Sequence, residues 1–453
     1  MKARTGSLSA CTTARLRLAS EIDGCRRALD DVTAHLEEYG VSVGLVYKIE
    51  LARQQLERIG SLVGLATGER VAIGEIGRFV AALIRDMHAQ RSVRALFRSN
   101  LDLLTRKIAE RTGKTGEHYI TRDRVEYAEM LRSSGRGGAL TGLTVFGKFV
   151  LVGHGLPPFV EGVIASLNYA LSFCAIQFVH GTLATKQPAM TAATLAGALD
   201  GRDNREARLD ALAELAAEVS RTQWVSIAGN VTITMLTAFA IALTAVQFVG
   251  WNAADPAKAA HLLHDLHPWR SLALLHAAIA GVYLFLSGLI SGYYDNKALY
   301  HRIPQRLRRV KWLRALLGEE RLARLADYVE HNLGALAGNF LFGCMLGFTP
   351  IVGELLGLPL DIRHVAFASA NFAYGLVGLQ FAVPPATVVV SVAGVLLVGL
   401  VNLVVSFSLA LRVALRSRGI EPEQTEGLWG RVLQRFLRAP RDFFWPPAAE
   451  PAA

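Results

Sequence analysis

What most restricts the fold of this chain is a series of apolar runs, most of them close to the roughly 20 residues that a helix needs to cross the hydrocarbon layer of a bilayer. They fall at about 139–155, 159–183, 224–250, 270–292, 333–353, 364–382 and 386–411, all after residue 138. Of the 453 residues 52% are hydrophobic, and the mean hydropathy of +0.31 lies above the range of ordinary globular domains. The expected fold class is all-α: a polytopic membrane helix bundle of six or seven spans, one of them a re-entrant candidate, with a cytosolic helical N-terminal domain. The corresponding divisions are a cytosolic helical region at 1–138, a transmembrane helical domain at 139–415 and a cytosolic tail at 416–453.

The opening MKARTGSLSACTTARLRLASEID lacks the apolar centre of a secretory signal peptide, so export by a cleaved signal is not expected. From about 13 to 134 apolar residues recur at intervals of three and four among many charges, as in LASEIDGCRRALDDVTAHLEEY, which reads as a cytosolic helical bundle. Acids and bases are mixed along it, so solvated helix faces account for the charge and nucleic acid is not an expected partner. Gly135 to Gly138 are expected to break the helical pattern before the apolar half begins. Cys11, Cys25, Cys174 and Cys344 form no CxxC pair and two lie in apolar runs, which argues for reduced thiols, with neither a disulfide frame nor a metal site.

Basic residues orient the spans. The linker 293–317 carries Lys297, Arg302, Arg306, Arg308, Arg309, Lys311 and Arg314 against Asp295 alone, and is expected in the cytoplasm. The segment 251–268 holds only Lys258 and is expected outside, which returns the N-terminus and the 184–223 linker to the inside of a bacterial inner membrane. Seven full spans would leave Arg412, Arg416, Arg418 and Arg431 outside, so one run should not cross. The sixth is the weakest: it contains Ser369, Asn371, Gly375, Gly378 and Gln380 and ends at Pro384-Pro385.

Several polar groups interrupt the apolar half. GLTVFGKF (142–149) resembles a phosphate-binding loop, but Phe149 stands where a magnesium-binding hydroxyl is required and no strand precedes it, so no nucleotide or other cofactor is expected. The alternative is a hairpin in which 139–155 rises, His154 to Pro158 turn, and 159–183 returns. Lys148 must then face the bundle, meet a partner such as Glu161, or snorkel to an interface. Asn168 and Ser172 share a helix face with Glu161, and Ser226, Asn230, Thr234, Thr237 and Thr244 form a stripe in the third run. Such a stripe is either interhelical glue or the wall of a polar path. In the fifth run GALAG (334–338) and GCMLG (343–347) permit close helix packing around Asn339, while Glu354 and Asp361 make its far end acidic, as at a cavity mouth. His261, His264 and His267 drift around a helix and read as a solvated segment; no metal is expected.

HYITRDRVEYAEMLRSSGRGG (118–138), EGVIASLNYALSFCAIQFVHGTLATKQPAMTA (161–192) and LGLPLDIRHVAFASANFAYGL (356–376) resemble the bacterial integral-membrane family known as site-specific recombinase, of gonococcal type. The resemblance covers about 118–415; members have a longer N-terminal region, so it implies a shortened version. It singles out Thr185, Lys186, Gln187 and Pro188 in one motif and Asp361, Arg363 and His364 in another. The name implies DNA strand exchange. His267-Pro-Trp-Arg270 followed by Tyr300 supplies the letters of a tyrosine-recombinase box, but the run 271–292 separates them, and Ser133 and Ser134 lack a serine-recombinase surrounding. Catalytic residues are therefore not assigned. The expected function is a transporter-like or channel-like pathway, or a membrane scaffold, with direct recombination as the alternative. Intramembrane polar candidates are Lys148, His154, Glu161, Asn168, Asn230, Asn339, Glu354 and Asp361. Expected partners are the lipid bilayer, anionic lipid at Arg302–Arg314 and a second copy of the chain.

Overall fold

The computed structural model describes residues 16–33, 43–67, 120–152, 155–183, 205–417 and 427–446, with a few positions in 74–81 and 191–195. Every regular element among the described residues is helical. After a helical stretch at 16–33 these are, in chain order, α1 (Val43–Thr67), α2 (Arg124–Leu151), α3 (Pro158–Phe178), α4 (Arg205–Thr244), α5 (Pro256–His264), α6 (Ala273–Tyr300), α7 (Ile303–Leu307), α8 (Lys311–Leu356), α9 (Val365–Gly378), α10 (Pro385–Ser417) and α11 (Leu428–Arg438). Short π and 3-10 turns follow α4 and α11 at Ala245–Val249 and Pro440–Phe443.

Two compact units result, Met1–Lys107 with Asn296–Ala326 and Ile108–Asp295 with Asp327–Ala453. In the first, the charge-rich helical character expected of the N-terminal region holds for the described residues. Arg53 joins α1 to Asp30 at 2.6 Å, and Arg26 pairs with Asp23 at 3.4 Å. Exposed pairs of this kind contribute about 0.2–1 kcal/mol each, so they adjust this unit rather than hold it.

The second unit begins with α2. The Asp123 carboxylate accepts hydrogen bonds from the Val125 and Glu126 amides, while Glu126 reaches back to the Arg122 amide at 2.7 Å. A reciprocal cap of this kind satisfies amides that a helix start leaves open. The break expected at Gly135–Gly138 is absent: α2 runs unbroken from 124 to 151. The glycines there permit contact instead. A Cβ on Gly138 would lie 2.6 Å from the Asn230 carbonyl oxygen on α4, and one on Gly137 would lie 2.1 Å from that of Thr182.

α3 returns antiparallel to α2, as the hairpin reading requires. Asn168 donates to the Thr144 carbonyl at 2.9 Å near one end, and Ser133 donates to the His180 carbonyl at 2.9 Å near the other. Residues 205–223, expected as the end of a linker, form the first part of the 40-residue α4. The middle of the stripe on α4 acts as glue: Asn230 donates to the Ser134 and Thr182 carbonyls, Thr234 donates to that of Gly138, and Thr237 fills the space over Gly142, while Ser226 is buried without such a bond and Thr244 is exposed. α8 uses its two glycine pairs on different neighbours. Gly334 and Gly338 seat Ser287 and Ser291 of α6, whereas Gly343 and Gly347 seat Ala170 and Ser166 of α3.

Among the described residues, five helical stretches are long and apolar enough to cross a membrane: α3, Leu209–Val249, α6, α8 and Pro385–Arg416. The first apolar run is instead the end of α2, whose earlier turns carry Arg124, Glu126, Glu129, Arg132 and Arg136. The sixth run is the short α9, whose 14 residues extend about 21 Å at 1.5 Å per residue, less than the hydrocarbon thickness. It starts at the His364 cap and stops where Gln380 and Phe381 turn left-handed, with φ of 52° and 59°. Nearly every residue of α9 is buried, and two apolar clusters form on it, one with Val365, Ala368, Phe372 and Leu376, the other with Ala370, Ala373, Tyr374 and Val377. A helix that is apolar on all sides belongs in an interior, and α9 occupies that place.

The α2–α4 contact makes a direct test of this packing. Gly138→Val should lower stability by about 2 kcal/mol or more, since neither carbonyl nor helix can move aside without strain. Gly135→Ala, whose Cβ would meet only Ile233 at 3.5 Å, should be neutral or stabilising. Thermal unfolding followed by circular dichroism in detergent reads both, and equal effects would contradict the packing described.

Candidate functional site

Each end of the α2–α3 hairpin opens into a cavity. The one at the end of α2 has a volume of about 290 Å³ and is lined by Lys148, Glu161, Glu354, Asp361, Arg363 and His364, with Tyr169 and Asn371 among the remaining lining residues. These side chains come from α2, the first turn of α3, the end of α8, the 357–364 loop and α9. Three carboxylates and two cations therefore meet in one place although the chain separates some of them by more than two hundred residues.

Lys148 lies in the last turn of α2, where the carbonyls of the helix end favour a cation. Its electrostatic neighbours are Tyr169, Asp361 and Arg363, and its side chain is reachable from the cavity. It neither stands alone in hydrocarbon nor belongs to a phosphate loop. Lys258, on α5, holds its ammonium 4.6 Å from the centre of the Phe149 ring. Burial, and then the nearby Lys148 ammonium, press the Lys258 pKa below the usual lysine value, while Asp255 and Glu161 act against them.

Arg363 organises the opposite wall. Its guanidinium pairs with Asp361 and, at 2.5 Å, with Asp265. Asp265 in turn lies 3.2 Å from His261. The segment HLLHDLHPWR is thus tied to the LPLDIRHV loop through Asp265. The Nδ1 of His267 accepts the Trp269 and Arg270 amides and closes a turn.

The loop itself is clamped from two further helices. Asn402 of α10 accepts the Val365 amide at 3.0 Å and donates to the Ala277 and Arg363 carbonyls at 2.8 and 3.0 Å. His276 of α6 meets the Pro359 carbonyl at 2.9 Å through Nε2. His364 is fully buried, accepts the Ala366 amide as the cap of α9, and sits edge-on to Phe342 and Phe367. Its motif position therefore marks a fastener of the cavity wall.

The candidates from the sequence separate by charge. Lys148, Glu161, Glu354, Asp361, Arg363 and His364 converge on the cavity. Asn168, Asn230 and Asn339 do not line it; each donates to a neighbouring backbone carbonyl, Asn339 to that of Phe173 at 2.9 Å. His154 and the motif residues Thr185, Lys186, Gln187 and Pro188 lie outside the described residues. Asn402 and the role of Asp265 escaped sequence reasoning. A lone asparagine in the most apolar run was the available signal for the first; the second depended on a contact across 98 positions.

The second cavity, of about 510 Å³, lies at the start of α2 and is lined by Thr121, Arg122, Glu126, Glu129, Ser133, Arg136, His180 and Thr182, among others. Ser133 and Lys148 lie about 22 Å apart along α2 at 1.5 Å per residue. Leu140, Phe173, Ile176, Leu183 and Phe342 pack in one apolar cluster on α2, α3 and α8, with Phe173 and Phe342 stacked at 5.4 Å.

The residues that could mimic recombinase chemistry have other partners. Ser133 bonds the His180 carbonyl and the Thr182 hydroxyl, and Ser134 bonds the Met130 carbonyl. Tyr300, the last residue of α6, lies edge-on to the His301 ring at 5.1 Å.

Asn402→Leu tests the clamp on the loop. Leaving one buried amide and two buried carbonyls without their partner should cost about 2–4 kcal/mol, through the desolvation penalty of each orphaned group. Thermal unfolding of the purified protein would show it, and an unchanged midpoint would mean that the clamp does not bear on the fold.

A family model described as site-specific recombinase matches residues 2–446, a longer stretch than the 118–415 over which the resemblance was expected. No curated protein and no solved structure matches the chain.

Proposed function

The chain belongs to the site-specific recombinase family, and from that premise we propose that it acts in a bacterial inner membrane as a transporter-like or channel-like protein, with the α2–α3–α8 seam as its polar pathway. The observation that carries this reading is the convergence of Lys148, Glu161, Glu354, Asp361 and Arg363 on one cavity. An ionisable group at the centre of a bilayer costs about 2.5–3.5 kcal/mol on insertion scales, and such groups gather where a solute or ion passes. A second cavity at the opposite end of α2 supports a pathway along that helix, which the apolar cluster of Phe173 and Phe342 would occlude in this conformation.

In this reading the basic segment 297–314 and the N-terminal unit face the cytoplasm, and α5 faces the opposite side. Arg302, Arg306, Arg309, Lys311 and Arg314 are exposed beside Trp312 and Leu316, a pattern suited to anionic lipid. That surface favours a second reading, a membrane scaffold, and a homo-oligomer is compatible with either. Direct strand exchange stands on the family name; strand cleavage by the purified protein, abolished by Tyr300→Phe, would restore it.

The pathway is tested by accessibility. In reconstituted protein, Lys148→Cys should react with a membrane-impermeant thiol reagent from the side of α5 only, and Ser133→Cys from the opposite side only. Reaction of both from one side, or of neither, would remove the pathway. Loss of solute flux in Lys148→Ala and Glu161→Ala with folding intact separates transport from scaffolding, since a scaffold would leave flux unchanged.

A further inference from the structure

The C-terminal helix α11 has its amphipathic faces reversed with respect to the protein. Two of its arginines face inward: Arg431 meets Glu206 at 3.1 Å and Asp210 at 3.2 Å on α4, and Arg435 meets Glu214 at 2.8 Å and Asp442 at 2.7 Å. Trp429, Leu433 and Leu437, spaced by four residues along one face, point outward and are 72%, 57% and 72% exposed. In water this arrangement is unfavourable, because each of these side chains loses roughly 1.5–3 kcal/mol of available burial.

Two contacts fix the level of this helix. Leu428 packs on the cluster of Leu209 and Leu212, which also holds Phe407 and Leu411 of α10. On α10 the outward apolar stripe Val389, Val392, Leu396, Leu400 and Val404 ends immediately before that level and gives way to Ser408 and Arg412. At the other end of the segment, Phe444 meets Trp224 at 5.5 Å and Trp445 meets Tyr127 at 4.9 Å. Aromatic side chains with one polar edge gather at the boundary between hydrocarbon and headgroups. The exposed stripe of α11 therefore lies at the level where the outward apolar surface of α10 gives way to polar residues, and the segment ends on an aromatic group suited to that boundary.

We propose that α11 and the following Phe444-Trp445 form an interfacial anchor, with Trp429, Leu433 and Leu437 inserted at the headgroup boundary of an anionic lipid surface. Arg412, Arg438 and Arg441 are exposed around it and face phosphate groups. The same basic rim opposes a second copy of this chain, since two such faces would bring like charges together. The salt bridges to α4 set the depth by holding the polar face against the protein. The inference is independent of whether the α2–α3 seam conducts a solute.

The full chain in nanodiscs tests it. A polarity-sensitive fluorophore is attached to Leu433→Cys in a background of Cys11→Ala, Cys25→Ala, Cys174→Ala and Cys344→Ala. Nitroxide lipids carrying the spin near the headgroup should quench it strongly in discs of phosphatidylcholine with phosphatidylglycerol, while aqueous iodide should not. Arg438→Gln with Arg441→Gln should reduce lipid quenching in the anionic discs. Quenching by iodide alone would overturn the proposal, and so would protection from both quenchers, which would mean that protein covers the face. Equal lipid quenching in discs of phosphatidylcholine alone would overturn the assigned preference for anionic lipid. A tag on Gln434→Cys, one position round the helix, checks that labelling leaves the fold intact: its quenching by lipid should be weaker, and equal quenching at both positions would also count against an inserted face.

Discussion

An asparagine amide in an apolar bundle carries two hydrogens that require acceptors, and helix backbones offer carbonyls only where the helices come very close. Asn168, Asn230, Asn339 and Asn402 each find such a carbonyl across an interhelical contact. Close approach depends in turn on glycine, at Gly138 between α2 and α4 and at Gly343 and Gly347 between α8 and α3. Amide and glycine act together, because a bulkier residue would separate the helices and strand the amide. Register between helices is therefore specified by hydrogen bonds, while apolar packing supplies the contact area.

Beyond these amides, a group of ionisable side chains gathers at the end of α2. Lys148, Glu161, Glu354 and Asp361 lie at the ends of different elements and meet only because α2 and α3 form a hairpin beside the end of α8. Arg363 fastens one wall of the cavity to Asp265, and Asn402 fastens the loop that carries Arg363. α9, too short to cross a bilayer and buried on all sides, supports this wall from within. A short apolar helix enclosed by longer ones, with a charged cavity at its capped end, resembles the broken elements that line cavities at membrane depth.

Much of the fold was legible from residue pattern. The apolar runs, the hairpin, the weakness of 364–382 and the glycine pairs of α8 all depend on local composition, which a sequence displays directly. Gly135 to Gly138 misled because glycine has two uses: it interrupts an exposed helix, yet it permits contact when a carbonyl lies opposite, and the opposite residue here is Asn230, more than ninety positions away. Glu354 at the end of α8 and Asp361 in the loop after it line the cavity, and both acids stand out in the sequence beside an apolar run. The part played by Asp265 was hidden, because a helix of histidines draws attention to metal chemistry, whereas its partner, Arg363, belongs to a distant loop. The stripe on α4 allowed two readings, and only the facing carbonyls of α2 decide for glue.

The most direct test of the account is a cryo-electron-microscopy map of the full chain in a lipid nanodisc. The account predicts a lipid belt around the Val389 to Val404 stripe of α10, with solvent density reaching Lys148 and Glu161 inside it. A belt that leaves this stripe in water, or dry side chains packed where the cavity should be, would contradict it.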